Sequence, residues 1–232
     1  YSLKSNDHKG CFMSEKYIKT LIVDDSILFR EVLSKLVAED KAIDVIATAG
    51  DPYDARDKII QLRPNVMTLD IEMPRMDGIS FLKKLIPQYT IPVVVVTSLP
   101  INAFEALDSG AVDFVKKPVV KGPGDLRNFA LELREKIIIA STSKVIVPKK
   151  PEMAAVAKQY DECCNSSTEI IAIGASTGGP EAILTVVKDL PVDIPPIIIT
   201  QHMPVKFTEM FAQRLNKISN LEVREAKDGD RL

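Results

Sequence analysis

The chain reads as an α/β protein built on a doubly wound parallel sheet, followed by the opening of a second α/β unit. Three observations predict this. Short apolar runs alternate with helix-period stretches from Ile18 to about Ile139. Several runs, such as Pro92-Val93-Val94-Val95-Val96, are apolar throughout, as strands buried on both faces must be. The alternation dissolves between Ser141 and Thr168 and then resumes. Five βα units in series, joined by short connections, specify a parallel sheet with helices on both faces.

The elements follow in order. Strands are expected at Thr20–Val23, Ile43–Ala49, Val66–Leu69, Val93–Val96 and Phe114–Lys116. Helices are expected at Ile27–Ala38, Tyr53–Leu62, Ile79–Ile86 and Ala103–Leu107, with a last one from the Gly124-Asp125 cap to Ile139. Residues 1–16 form an N-terminal extension expected to be disordered; Met13 is a candidate natural start, and no basic-then-apolar signal peptide is present. Residues 17–140 make the first domain and residues 141–167 the linker, with a short helix near Met153–Gln159. Residues 168–232 open the second domain: strand 169–173, helix 180–188, strand 196–201, helix 206–217 and strand 221–225.

Composition narrows the function. The 232 residues are 46% hydrophobic, enough for a substantial core, and carry a net charge of -2, which is no electrostatic footprint for nucleic acid. Residues 168–232 hold seven basic and nine acidic side chains and lack a helix-turn-helix pattern, so a DNA-binding output is disfavoured. No apolar run is long enough to insert in a membrane. Cys11, Cys163 and Cys164 make no disulfide framework and lack zinc spacing, which points to free thiols in the cytoplasm.

The acidic residues cluster by topology. Asp24 and Asp25 end the first strand, Asp70 the third, Thr97-Ser98 the fourth and Lys117 the fifth. In a doubly wound sheet these ends share the ligand-binding edge. Two carboxylates about 4 Å apart repel by roughly 4 kcal/mol at an effective dielectric near 20. A hard cation such as Mg²⁺ removes that repulsion, and a carboxylate beside Mg²⁺ and a lysine can accept a phosphoryl group. Taken singly, each aspartate reads as a solvated loop residue; the set of four strand ends does not.

These motifs, Val23-Asp24-Asp25-Ser26, Leu69-Asp70-Ile71-Glu72-Met73-Pro74, Met76-Asp77-Gly78, Val96-Thr97-Ser98 and Phe114-Val115-Lys116-Lys117-Pro118, resemble the receiver domains of two-component response regulators. The resemblance implies a flavodoxin-like five-stranded fold over roughly residues 17–140. It implies Asp70 as phosphoacceptor and Mg²⁺ held by Asp25 with Asp24, Asp70 and the Glu72 carbonyl. It also implies Lys117 pairing with phosphoryl oxygens, Thr97 and Phe114 as the switch pair, and a cis Lys117–Pro118 bond.

The second half carries Gly174-Ala175-Ser176-Thr177-Gly178-Gly179-Pro180 between an apolar strand and a helix. As a phosphate loop it fails, because Pro180 and Glu181 stand where lysine and Ser/Thr are required. As G-x-S-x-G it fits a nucleophile presented at a strand-to-helix turn; an ordinary helix cap is the competing reading. His202, in Gln201-His202-Met203-Pro204, ends the next strand and is one of two histidines. Adjacent strands would bring this candidate base to Ser176. The N–H groups around Thr177 and Gly178 are candidate oxyanion donors.

Together with Phe207-Thr208 and Ala226-Lys227-Asp228-Gly229-Asp230, these motifs resemble the chemotaxis protein-glutamate methylesterase family. That resemblance implies a receiver controlling a serine esterase. Ser176 would be the nucleophile and His202 the base, acting on methyl-glutamate, or on glutamine, of chemoreceptor helices. A chemotaxis histidine kinase would be the phosphodonor. The family's acid lies beyond residue 232, so Asp189, Asp193, Asp228 and Asp230 are not assigned, and residues 1–232 alone are expected to have little or no esterase activity. The alternative is a non-enzymatic phosphoreceiver that drains phosphoryl groups and keeps a remnant output domain.

Overall fold

A computed structural model describes residues 17–120, 122–143, 145 and 170–231. The N-terminal extension, the helix expected near Met153–Gln159, the three cysteines and Glu169 lie outside the described residues.

The first unit runs β1 (Ile18–Val23), α1 (Ile27–Val37), β2 (Ile43–Ala49), α2 (Pro52–Leu62), β3 (Val66–Asp70), α3 (Gly78–Leu85), β4 (Val93–Thr97), α4 (Pro100–Asp108), β5 (Asp113–Lys116) and α5 (Pro123–Thr142). The five strands are parallel in the order β2-β1-β3-β4-β5. Winding reverses between β1 and β3, which opens a crevice at their carboxyl ends.

Side chains alternate across the sheet, as the two-residue period of a strand requires. Ile22, Val94, Val96 and Val115 pack with Leu33 and Val37 of α1 and Leu133 and Ile137 of α5. Leu21, Val23, Leu69, Val93, Val95 and Phe114 face the α2–α4 side. That second core continues into Ile183, Phe207, Phe211 and Leu215 of the following unit.

Local chemistry sets the helix starts. Ser26 accepts the Phe29 N–H (3.3 Å), Asp51 accepts those of Tyr53 and Asp54 (2.9 and 3.0 Å), and Asp77 accepts that of Ser80 (2.8 Å). Arg63, at φ 48°, ends α2 in the left-handed region. α5 starts earlier than its expected cap, with Gly122 as N-cap and its N–H donating to Asp125 (2.9 Å).

The second unit runs β6 (Ile171–Ala175), α6 (Gly179–Val187), β7 (Ile197–Gln201) and α7 (Phe207–Ile218). β6 and β7 form a parallel pair with Ala175 opposite Gln201. The strand expected at 221–225 does not form. Leu221 and Val223 pack on the core as irregular chain, and the Val223 N–H donates to Asn216 Oδ1 (2.8 Å) instead of a strand neighbour. No described helix is long and apolar enough to cross a membrane.

Candidate phosphoacceptor and nucleophile sites

The crevice between β1 and β3 gathers the acids. Ligand oxygens of Asp24, Asp25 and Asp70 lie within 4.8 Å of one another. Asp24 and Asp70 are buried, and Asp25 is exposed at the mouth. Each buried carboxylate is held at both oxygens. Asp24 Oδ1 accepts the Ser26 N–H (2.9 Å) and Asp70 Oδ1 the Glu72 N–H (3.1 Å). The Lys117 ammonium donates to the remaining oxygens, at 2.8 Å to Asp24 and 2.7 Å to Asp70.

Burial pushes the Asp24 carboxyl above its ordinary range; the Asp70 charge adds to this and Lys117 opposes it. Burial acts to lower Lys117, but its bonds to Asp24 and Asp70 outweigh that and hold the ammonium above its ordinary value. Three carboxylates with one face toward solvent are a hard oxygen donor set that suits Mg²⁺.

Two further residues of the receiver sheet, Thr97 in β4 and Phe114 in β5, were expected as a switch pair. Thr97 is fully buried, and its hydroxyl is engaged with the Leu99 main chain, accepting the N–H at 3.2 Å. Phe114 is buried, its ring edge-on to Phe104 at 6.1 Å. The Lys117–Pro118 bond is trans, against expectation: the described residues contain no cis peptide. The trans form is the lower-energy isomer, and the Lys117 N–H donates to the Thr97 carbonyl (2.9 Å) while its ammonium still reaches both acids.

Gly78 shows why Met76-Asp77-Gly78 matters. A Cβ there would lie 2.5 Å from the Asp70 carbonyl oxygen and 2.9 Å from Ile71 Cα. Only glycine lets this loop close on the Asp70–Ile71 main chain, where the Gly78 N–H donates to the Ile71 carbonyl (3.0 Å).

At the second sheet, Ser176 follows Ala175 and His202 follows Gln201, so the two leave a paired rung in parallel. The His202 N–H donates to the Ala175 carbonyl (3.3 Å), and both side chains are exposed. Ser176 does not cap α6. The N-cap is Gly178, at φ 72°, without a side-chain bond. Residues 176–179 form a tight turn closed by the Gly179 N–H on the Ser176 carbonyl (2.8 Å), with Gly178 at the position needing positive φ. Among the described residues, no hydrogen bond joins the Ser176 hydroxyl to the His202 imidazole. Asp230 is committed to its own turn, accepting the Lys227 N–H (2.8 Å) and facing Arg224 (3.4 Å).

Sequence patterns did not reveal how the two units meet. α7 packs on α4 and β5: the Phe211 ring stacks on Phe104 of α4 at 5.8 Å, and the Phe207 ring on Phe114 of β5 at 5.1 Å. Arg214 bonds Asp108 of α4 and Glu181 of α6. Burial raises the Glu181 carboxyl; Arg214 opposes the rise and Asp108 adds to it. A cleft of about 440 Å³ runs between the units, lined by Lys117, Pro118 and Phe129 on one side and by His202, Met203 and Pro204 on the other. The aromatic spacing along α7 was the available signal for this contact, but its partner helix could not be read from it.

Residues 20–128 match the family model described as response regulator receiver domain, and residues 171–232 match the one described as CheB methylesterase. The response regulator domain of Thermotoga maritima CheB is 38% identical, with a TM-score of 0.52, over 55% of this chain and 98% of that one. The fold and the acidic crevice thus define a response-regulator receiver joined to an output segment. Two curated relatives are named protein-glutamate methylesterase/protein-glutamine glutaminase. That of Syntrophotalea carbinolica is 47% identical over 94% of this chain, and that of Syntrophomonas wolfei 49% over 95%. The chain spans 64% of the length of each. It belongs to the CheB methylesterase family, as a receiver followed by the first part of the methylesterase domain.

Proposed function

We propose that this chain is the regulatory and nucleophile-bearing part of a chemotaxis methylesterase, with a receiver at 17–140, a linker at 141–167 and the start of the catalytic domain at 168–232. The carrying observation is that Ser176 and His202 leave the paired Ala175–Gln201 rung side by side.

Asp70 accepts the phosphoryl group of a histidine kinase: a carboxylate oxygen bonds to phosphorus as the bond to the kinase imidazole breaks. Asp24, Asp25, Asp70 and the Glu72 carbonyl would hold Mg²⁺, which when bound offsets the charge of the transferring group. Lys117, already on Asp70, pairs with the arriving phosphoryl oxygens. Thr97 then turns toward them, and Phe114 repacks. Because Phe114 stacks on Phe207, that repacking bears directly on the contact with α7.

In the output domain, Ser176 Oγ bonds to the γ-carbonyl carbon of a methyl-glutamate on a chemoreceptor helix. His202 takes the serine proton and passes it to the leaving methoxide, which departs as methanol. The N–H groups of Thr177 and Gly178 receive the oxyanion. Water then cleaves the acyl-enzyme. A glutamine side chain follows the same course, losing ammonia. Before phosphorylation, the Lys117–Pro118 loop stands across the cleft from His202 and restricts entry.

The test is methanol release from methylated receptor by the full-length gene product. Ser176→Ala and His202→Ala should each abolish it; undiminished release by Ser176→Ala would refute the assignment.

A purely phosphoreceiving role is the second reading, favoured by the missing hydrogen bond between Ser176 and His202. It predicts Asp70 phosphorylation from acetyl phosphate with Mg²⁺ and no Ser176-dependent methanol release in any form of the protein.

A further inference from the structure

The side chain of Gln201 lies over the nucleophile turn. Its Nε2 group donates to the Ser176 carbonyl at 2.9 Å and to the His202 carbonyl at 3.1 Å. Both acceptors are carbonyls, so the amide must present its NH₂ end to them, and its orientation is settled. Its Oε1 is buried and has no partner among the described residues. Leaving a buried oxygen unpaired is unfavourable, so the side chain is held here by the two bonds that its other end makes.

Gly179 is the counterpart. A Cβ at 179 would lie 2.0 Å from Gln201 Oε1 and 2.9 Å from its Cδ, and 2.8 Å from Ala175 Cβ. The second glycine of the Gly178-Gly179 pair is therefore not needed for the turn's dihedrals, which Gly178 supplies at φ 72°. It vacates the space that the Gln201 amide fills.

One amide thus clamps the main chain at the candidate nucleophile to the main chain at the candidate base. Among the described residues, the strands make no further pairs beyond the rung Ala175–Gln201, and the His202 N–H on the Ala175 carbonyl is the other hydrogen bond across this point. We propose that Gln201 is a positioning residue that sets the separation of Ser176 and His202, with Gly179 as its required seat. The proposal rests on the esterase reading above. Displacements of about 1 Å between reacting groups can cost about 100-fold in rate, so loss of the clamp should appear in the chemical step.

The experiment compares full-length gene products carrying Gln201→Met, which keeps the shape and removes the donors, Gln201→Ala, Gly179→Ala and Ser176→Ala. Methanol release from methylated receptor is followed at varied substrate concentration. Gln201→Met and Gln201→Ala should lower kcat about 10- to 100-fold with KM within about twofold. Gly179→Ala should reproduce that loss by expelling the amide, and Gly179→Ala with Gln201→Ala, which vacates the space, should be no worse than either alone. The proposal is overturned if both Gln201 variants keep kcat within about threefold of wild type while Ser176→Ala is inactive. A loss confined to thermal stability, with kcat kept, overturns it equally. Full activity of Ser176→Ala removes the esterase reading itself and the Gln201 role with it.

Discussion

The ring of Phe114, at the end of the receiver sheet, lies stacked on the ring of Phe207, at the start of α7, with centroids 5.1 Å apart and planes 15° from parallel. Both rings are buried, and Phe104 and Phe211 stack beside them. This cluster joins the residue expected to respond to phosphorylation to the helix that follows the His202 loop. Replacing Phe207 by alanine should cost about 3–5 kcal/mol of packing, most of it between the units. Amide exchange should rise in α4 and α7 while β1 and β3 keep their protection. Unchanged exchange in α7 would count against a shared core.

Lys117 bridges two carboxylates that are 2% and 1% exposed. Lys117→Met leaves each with a backbone N–H but no counter-charge, which should cost about 3–5 kcal/mol near neutral pH. Asp24 already has its carboxyl raised by burial. A raised acid takes up its proton in the folded state first, so its burden is present above the folded value and is relieved as pH falls through it. The stability gap between Lys117→Met and wild type should therefore narrow on acidification. Millimolar Mg²⁺ should narrow it at neutral pH as well, as urea denaturation with and without the cation would report.

Asp77 caps α3 through the Ser80 N–H, and that bond holds its carboxyl below the ordinary range. Asp77→Ala should cost about 1 kcal/mol at neutral pH. A depressed carboxyl gives stability that is present above the unfolded value and is lost as pH falls through the folded one. Thermal melts of wild type and Asp77→Ala should accordingly converge at low pH.

Gly78→Ala places a methyl group against backbone that cannot yield, 2.5 Å from the Asp70 carbonyl oxygen. Overpacking of this kind costs about 1–3 kcal/mol. Because the strain falls on the main chain of Asp70, the proposed phosphoacceptor, acetyl-phosphate labelling of Asp70 should slow. Labelling at the wild-type rate would show that the loop relaxes elsewhere.

The receiver was legible because its chemistry sits at strand ends. Apolar runs locate β1, β3, β4 and β5, and the residue after each run falls on the crevice edge whatever the flanking helices do. Asp24, Asp70 and Lys117 meet for that reason. The pairing of Ser176 with His202 on one edge followed from the same rule. What failed depended on partners distant in sequence. Residues 221–225 alternate like a strand, yet Val223 bonds Asn216 and finds no strand beside it. The Phe114–Phe207 stack and the Gln201 clamp were invisible because each joins side chains whose proximity only the assembled sheets create. The Lys117–Pro118 bond is trans, and nothing in the periodicity of the sequence encodes an isomer.

The central claim is that phosphorylation of Asp70 controls an esterase whose nucleophile is Ser176. The most direct measurement is methanol release from methylated chemoreceptor by the full-length gene product, with and without acetyl phosphate and Mg²⁺. Wild type should be accelerated by phosphorylation, Asp70→Asn should stay at the unphosphorylated rate, and Ser176→Ala should release none under either condition. Acceleration that persists in Asp70→Asn, or release that persists in Ser176→Ala, would contradict the account.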